Sequence, residues 1–254
     1  MTLNVTIVSW EAFLLVMVRV AAMLMVAPAF GAKPIPAQVK IGLAALLAAL
    51  ITPLQTTEGP LLVDMATILL QVSREVVVGL LAGFSATLVF SAVQMAAQII
   101  GVQVGYSFSN TVDPVTAQSA GFLDTFYTML AVVIFMGLGG HHALISGIAQ
   151  SFQLVPIGTY AAPIETGDKL VAIISNTFLI AVRLSMPIVG TMFLVDATMA
   201  LVVRSIPQMN VFAVGLPVKM VLGIVVMIAF VPAIVAGISD ISRSSVAAFS
   251  GILP

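Results

Sequence analysis

The chain of 254 residues contains no cysteine, which excludes disulfides, thiolate metal sites and cysteine nucleophiles. Charge is scarce too: only 7% of residues are Asp, Glu, Lys or Arg, against about 25% in an ordinary soluble domain. So few charges cannot coat a globular surface of this size. Nine basic and ten acidic residues leave a net charge of −1, so no basic field exists to hold phosphate backbones and nucleic acid is excluded as a partner. Neither HExxH nor GxSxG occurs, and His141–His142 have no carboxylate nearer in sequence than Asp124 and Glu165. This excludes the common zinc and serine-hydrolase patterns, and the pair reads as the polar tip of a helix–loop–helix corner. No Lys or Arg precedes the first apolar run, so that segment lacks a secretory n-region and is expected to be retained.

What remains is apolar. Hydrophobic side chains make up 61% of the chain and the mean hydropathy is +1.20. An all-α protein follows, integral to a membrane or derived from one, built of helical hairpins and long kinked helices. Apolar blocks lie near 12–31, 41–54, 61–93, 122–140, 170–199 and 211–238, with a weaker one at 143–158. A crossing needs about 20 helical residues. The 41–54 block is short for that, and those starting near 61 and 170 are too long for one upright crossing. Pro28, Pro187, Pro217 and Pro232 fall inside blocks, where kinks are expected. Basic residues divide too evenly between the two sides to fix an orientation.

Charges inside the apolar blocks are the first candidates for chemistry: Arg19, Arg74 with Glu75, Asp124, Arg183, Asp196 and Lys219. They lack the clustering of a proton relay, so mutual pairing, snorkelling or subunit contact is the expected use. Gly79–Gly83 and Gly101–Gly105 match GxxxG, the spacing that lets membrane helices approach closely. Gln94 and Gln98 share a helix face beside the second of these, which suggests a polar or protein-lined surface. The segment 105–121, GYSFSNTVDPVTAQSAG, is the one extended polar stretch, with a turn at Asp113–Pro114. A polar loop between apolar helices must lie in water, in protein or in a lumen. It is either an ordinary connection or a pore constriction, and composition does not choose between them.

One string is far more specific. Arg204-Ser-Ile-Pro207-Gln208-Met-Asn210-Val-Phe212, followed by Gly215-Leu-Pro-Val-Lys219, closely resembles the signature of the FliR family of the flagellar type III export apparatus. Further agreements run in order along the chain: Arg19 with Pro28–Phe30 and Lys40, Glu75 with Gly79 and Gly83, Asp113–Pro114, Gly140–His141, the turn Ser151–Gly158, and Asp196. The resemblance implies a subunit without enzymatic activity or cofactor. It further implies a single copy held in a helical, ring-like gate with FliP-like and FliQ-like subunits, beside FlhA-like and FlhB-like components. Such a chain divides near residue 160, with 1–160 FliP-like and 161–254 a FliQ-like hairpin. It serves in the bacterial inner membrane, at the flagellar basal body, and passes unfolded export substrates. By the same resemblance Gly105, Tyr106, Ser107, Phe108, Ser109, Asn110, Asp113, Pro114 and Gly121 belong to a loop that plugs the pore. Arg204, Pro207, Gln208, Asn210, Phe212 and Lys219 serve assembly. The short stretch after Arg243 favours a flagellar member over the related virulence-secretion SctT family. The reading from a different class is a small-solute or ion-coupled secondary transporter, which an inverted repeat would support.

Overall fold

The computed structural model describes residues 10–28, 35–55, 64–106, 122–161, 163, 165–206, 208 and 210–252. Within these residues the side chains of 89, 122, 124, 211, 212 and 241–252 are not described. Among the described residues the regular structure is helical throughout: α1 (Trp10–Val26), α2 (Ala37–Ile51), α3 (Met65–Val104), α4 (Phe122–Gly137), α5 (Gly140–Leu154), α6 (Thr166–Ser205) and α7 (Val211–Ile252). A 3-10 turn, Thr52–Leu54, closes α2, with Thr52 Oγ1 donating to the Ala48 carbonyl at 2.6 Å.

The boundaries have local causes. Asp64 caps α3: its carboxylate accepts from the Thr67 amide at 3.2 Å and from the Thr67 hydroxyl. Those bonds, the hydroxyl's first, hold the exposed Asp64 carboxyl below its ordinary value of 3.8. α3 and α6 each run for 40 residues, about 60 Å at ~1.5 Å per residue, twice the thickness of a hydrocarbon core. The apolar block ending near 93 therefore understates α3. Gln94 and Gln98 lie on its exposed side while Ala92, Val93, Ala96, Ala97, Ile100 and Val104 keep a buried stripe going. The weak block at 143–158 is a full helix, α5, and Gly139 in the left-handed region (φ 74°) separates it from α4. α1 ends at Val26 with a bend at Ala27, just before Pro28, whereas Pro187 sits inside α6 and Pro217 and Pro232 inside α7.

Four stretches are long and apolar enough to cross a membrane: Ala37–Leu54, Met65–Val104, Thr166–Ser205 and Ala213–Asp240. α4 and α5 together would make a fifth, broken span.

Two compact units are distinguishable, the first drawing on the chain up to Leu88, Gly139–Ile173 and the end from Ser242, the second on Val89–Leu138 and Ile174–Ile241. In the first, Leu15, Val16, Val20 and Leu24 of α1 pack with Leu47 and Ile51 of α2 and Ile148 and Phe152 of α5. The second buries Ile100, Phe135, Ile188, Met192 and Ile238, with the rings of Phe90 and Phe135 edge to face at 5.3 Å. Phe193, Leu194 and Leu201 on α6 and Val221 and Ile228 on α7 stay exposed, a surface that suits lipid or other apolar protein.

Candidate functional site

Arg19 is the largest fully buried side chain in the chain's described part, and Glu75 is buried with it. α1 and α3 bring them together across 56 residues: Arg19 Nε donates to Glu75 Oε2 at 2.5 Å and Nη2 to Oε1 at 3.1 Å. Nη1 donates to Ser151 Oγ and to the Val155 carbonyl, both at 3.1 Å, and Nη2 reaches the same carbonyl at 3.1 Å. A guanidinium has five N–H groups, and each finds an acceptor here. Phe152 adds its ring face, 3.9 Å from the Arg19 Cζ. Glu75 Oε1 also accepts from the Gly158 amide at 2.7 Å. Both charges are thus desolvated but fully bonded, the condition under which a buried ion pair is tolerated.

Two glycine features make this closeness possible. A Cβ at Gly79 would lie 2.2 Å from the Arg19 carbonyl oxygen, and one at Gly83 would lie 2.7 Å from that of Met23. The Gly79–Gly83 spacing therefore serves the contact of α3 with α1 of the same chain. Gly158 takes a left-handed φ of 75° with the Gln71 side chain packed on it, and its carbonyl accepts from Arg74 Nη1 at 2.8 Å. Arg74 and Glu75, neighbours in sequence, thus grip opposite sides of one peptide turn.

A second cluster lies in the other unit. Lys219 Nζ of α7 stands 2.8 Å and 3.0 Å from the two carboxylate oxygens of Asp196 on α6, and Gln103 Nε2 of α3 donates to Asp196 Oδ2 at 3.1 Å. The pair is only partly covered, with side-chain exposures of 20% for Lys219 and 42% for Asp196.

The other sequence candidates are more scattered. Arg183 is exposed on α6, and Arg204 is exposed in its last turn, where a cation complements the helix dipole. Gln208 and Asn210 are exposed in the link to α7, and Asn210 Oδ1 accepts from the Ala213 amide at 3.2 Å. Phe212 lies in the first turn of α7 and Asp124 in α4, with their side chains outside the description. Of the polar segment, Gly105 and Tyr106 are described, whereas Ser107, Phe108, Ser109, Asn110, Asp113, Pro114 and Gly121 lie outside the described residues, as does Pro207. Gly105 ends α3 with φ 93°, and Tyr106 lines an apolar cleft of about 280 Å³ with Leu123, Phe126, Tyr127 and Ile228. The rings of His141 and His142 lie 4.2 Å apart, tilted by 40°, at the start of α5. No group of three or more metal-ligating side chains occurs among the described residues.

Residues 10–244, a stretch that holds both charge clusters and the motif at 204–219, match the family of bacterial export proteins, family 1. The chain belongs to that family. Among its relatives, the flagellar biosynthetic protein FliR of Bacillus subtilis strain 168 is 34% identical over 230 residues, which is 89% of this chain and 88% of that protein. FliR of Escherichia coli K12 is 31% identical over 219 residues, covering 86% and 83% of the two chains. FliR of Caulobacter vibrioides is 31% identical over 212 residues, covering 83% and 84%.

For a FliR-family chain, the structure joins what the sequence holds apart. Arg19, Glu75, Gly79, Gly83 and the Ser151–Gly158 turn, read separately as points of family resemblance, form one site. Sequence reasoning missed Ser151, Phe152 and Val155 as the partners of Arg19, and Gln103 as the third member of the Asp196–Lys219 cluster. The family resemblance marks the Ser151–Gly158 turn but not what that turn meets. Nothing hinted at Gln103.

Proposed function

We propose that this chain is a structural and gating subunit of a flagellar type III protein export channel, passing unfolded flagellar proteins across the bacterial inner membrane without covalent chemistry. The observation that carries the reading is the near full-length match to FliR proteins named for flagellar biosynthesis. The internal pairing of Arg19 with Glu75 and of Asp196 with Lys219 supports it, since charges committed to each other suit architecture better than ion transport. The chain sits at the flagellar basal body as one copy among FliP-like and FliQ-like subunits, with 1–160 in the FliP-like role and 161–254 as the FliQ-like hairpin. FlhA-like and FlhB-like components adjoin it. The polar segment 105–121 obstructs the path at rest.

The test is replacement. In a bacterium deleted for its own FliR protein, this chain restores export of hook and filament proteins and motility. In native mass spectrometry it appears as one copy in a complex with the neighbouring export subunits. A stable monomer that ignores those subunits, with saturable small-solute uptake, would overturn the reading in favour of a transporter. Removing residues 109–118 leaves the complex assembled and the membrane leaky to small ions. Unchanged permeability in a correctly assembled complex removes the plug from the proposal.

A further inference from the structure

We infer that Lys219, through Asp196, is a positioning residue for the C-terminal end of α3, the point from which the polar segment departs. Four successive residues at that end are each keyed to another helix of the same unit. Gln103 donates to Asp196 on α6 at 3.1 Å. Val104 fills the space over Gly223 of α7, where an added Cβ would lie 2.2 Å from Val104 Cγ1. Gly105, with φ 93°, lies under Leu216 of α7, whose Cδ1 would be 2.6 Å from an added Cβ. Tyr106 enters the cleft that Leu123 and Phe126 of α4 share with Ile224 and Ile228 of α7.

Leu216, Lys219 and Gly223 are spaced three and four residues apart, so they form one face of α7. That face therefore holds the end of α3, and Leu123, close to the start of α4, borders the same cleft. The apolar contacts in this arrangement fix distance and seating but have no bond direction. The carboxylate bonded to both an ammonium and an amide is the directional element, because it accepts from Lys219 and Gln103 together. Its partial exposure makes it the weakest part of the arrangement and hence the part that can be released. The functional weight of this assignment rests on the gating role proposed above for 105–121.

The experiment is hydrogen–deuterium exchange on the intact export complex, read for residues 101–106. Lys219→Met is expected to speed exchange there by about two- to fivefold, the factor that goes with losing a part-exposed ion pair. The exchanged pair Asp196→Lys with Lys219→Asp restores slow exchange, since the Gln103 amide can turn to offer its oxygen. Gln103→Leu, which leaves the ion pair intact, speeds exchange at 101–106 and not along α6 or α7. Wild-type exchange in assembled Lys219→Met and Gln103→Leu complexes overturns the inference, as does failure of the swapped pair to restore protection. Ion leak measured on the same complexes tests the gating role separately. Faster exchange without leak refutes that role and leaves the positioning intact.

Discussion

Glu75→Gln leaves the Arg19 guanidinium buried with only neutral acceptors: Ser151 Oγ, the Val155 carbonyl and an amide oxygen. Breaking a buried ion pair from one side costs about 3–5 kcal/mol, because the remaining charge is uncompensated. For a chain of this length that corresponds to a fall in Tm of about 6–20 °C, at about 2–4 °C per kcal/mol. Arg19→Met strands the opposite charge, with only the Gly158 amide still donating to Glu75, and costs a similar amount. The double change, Arg19→Met with Glu75→Gln, removes both charges. The new side-chain amide oxygen at position 75 can still accept from the Gly158 amide, and Ser151 keeps its bond to the Ile148 carbonyl at 2.7 Å, so the groups left to re-pair are the Val155 carbonyl and the NH2 of the new amide, neither of them charged. An orphaned buried neutral group costs about 1–3 kcal/mol, less where a donor and an acceptor meet each other, against about 3–5 kcal/mol for a stranded charge. The double variant is therefore expected to be more stable than either single one, as read by thermal unfolding of the purified complex followed by light scattering and tryptophan fluorescence. A double variant as unstable as the worse single would refute the account, because the cost would then lie in packing lost at each residue.

Other positions give sharper contrasts. Gly79→Ala and Gly83→Ala each drive a methyl into backbone of α1 and are expected to cost at least the ~1–3 kcal/mol of ordinary overpacking, whereas Gly42→Ala, with open space around it, is neutral or slightly stabilising. Thermal unfolding of the three variants side by side measures this. Arg204→Ala, at an exposed last turn, is expected to lower the yield of assembled complex more than the conductance of what assembles, and a normally assembled but closed complex would contradict this. The Asp64 carboxyl is held below 3.8 in the folded chain, so its contribution to the start of α3 is full above that value and disappears as pH falls through the lower folded value. Amide exchange at residues 66–68, corrected for its intrinsic pH dependence, should rise in acid in the native chain and be elevated at all pH values in Asp64→Ala.

Much of the helical framework was legible, since each apolar block holds a helix and the two overlong blocks correspond to the 40-residue helices. Boundaries were less so. Gln94 and Gln98 broke the apolar run without breaking the helix, because side chains on an exposed face do not interrupt the backbone ladder. The motif at 204–219 located Lys219 and Arg204, yet only the former meets a charge partner in the description. Arg19 and Glu75 stood out individually as charges among apolar residues. Their union was invisible because 56 residues separate them, and periodicity reaches only a few turns. Gln103 escaped notice for a different reason: unlike Gln94 and Gln98, it has no second amide three or four residues away to mark a shared face.

The sequence separation within the Arg19 site also sets an order of events during biogenesis. Arg19 enters the nascent chain 56 residues before its carboxylate and 136 before its last carbonyl acceptor, Val155. At about 5–20 residues per second, that final acceptor follows by roughly 7–27 s. Until Glu75 emerges, α1 carries a cation without its counter-charge, and until Val155 emerges the guanidinium still lacks part of its acceptor set. An arginine in that condition adds about 2.5–3.5 kcal/mol or more to the cost of placing its helix in hydrocarbon. α1 is thus made early and secured late. A product truncated before Val155 keeps an incompletely bonded arginine in an apolar helix, the kind of defect by which membrane quality control can distinguish an unfinished chain from a finished one.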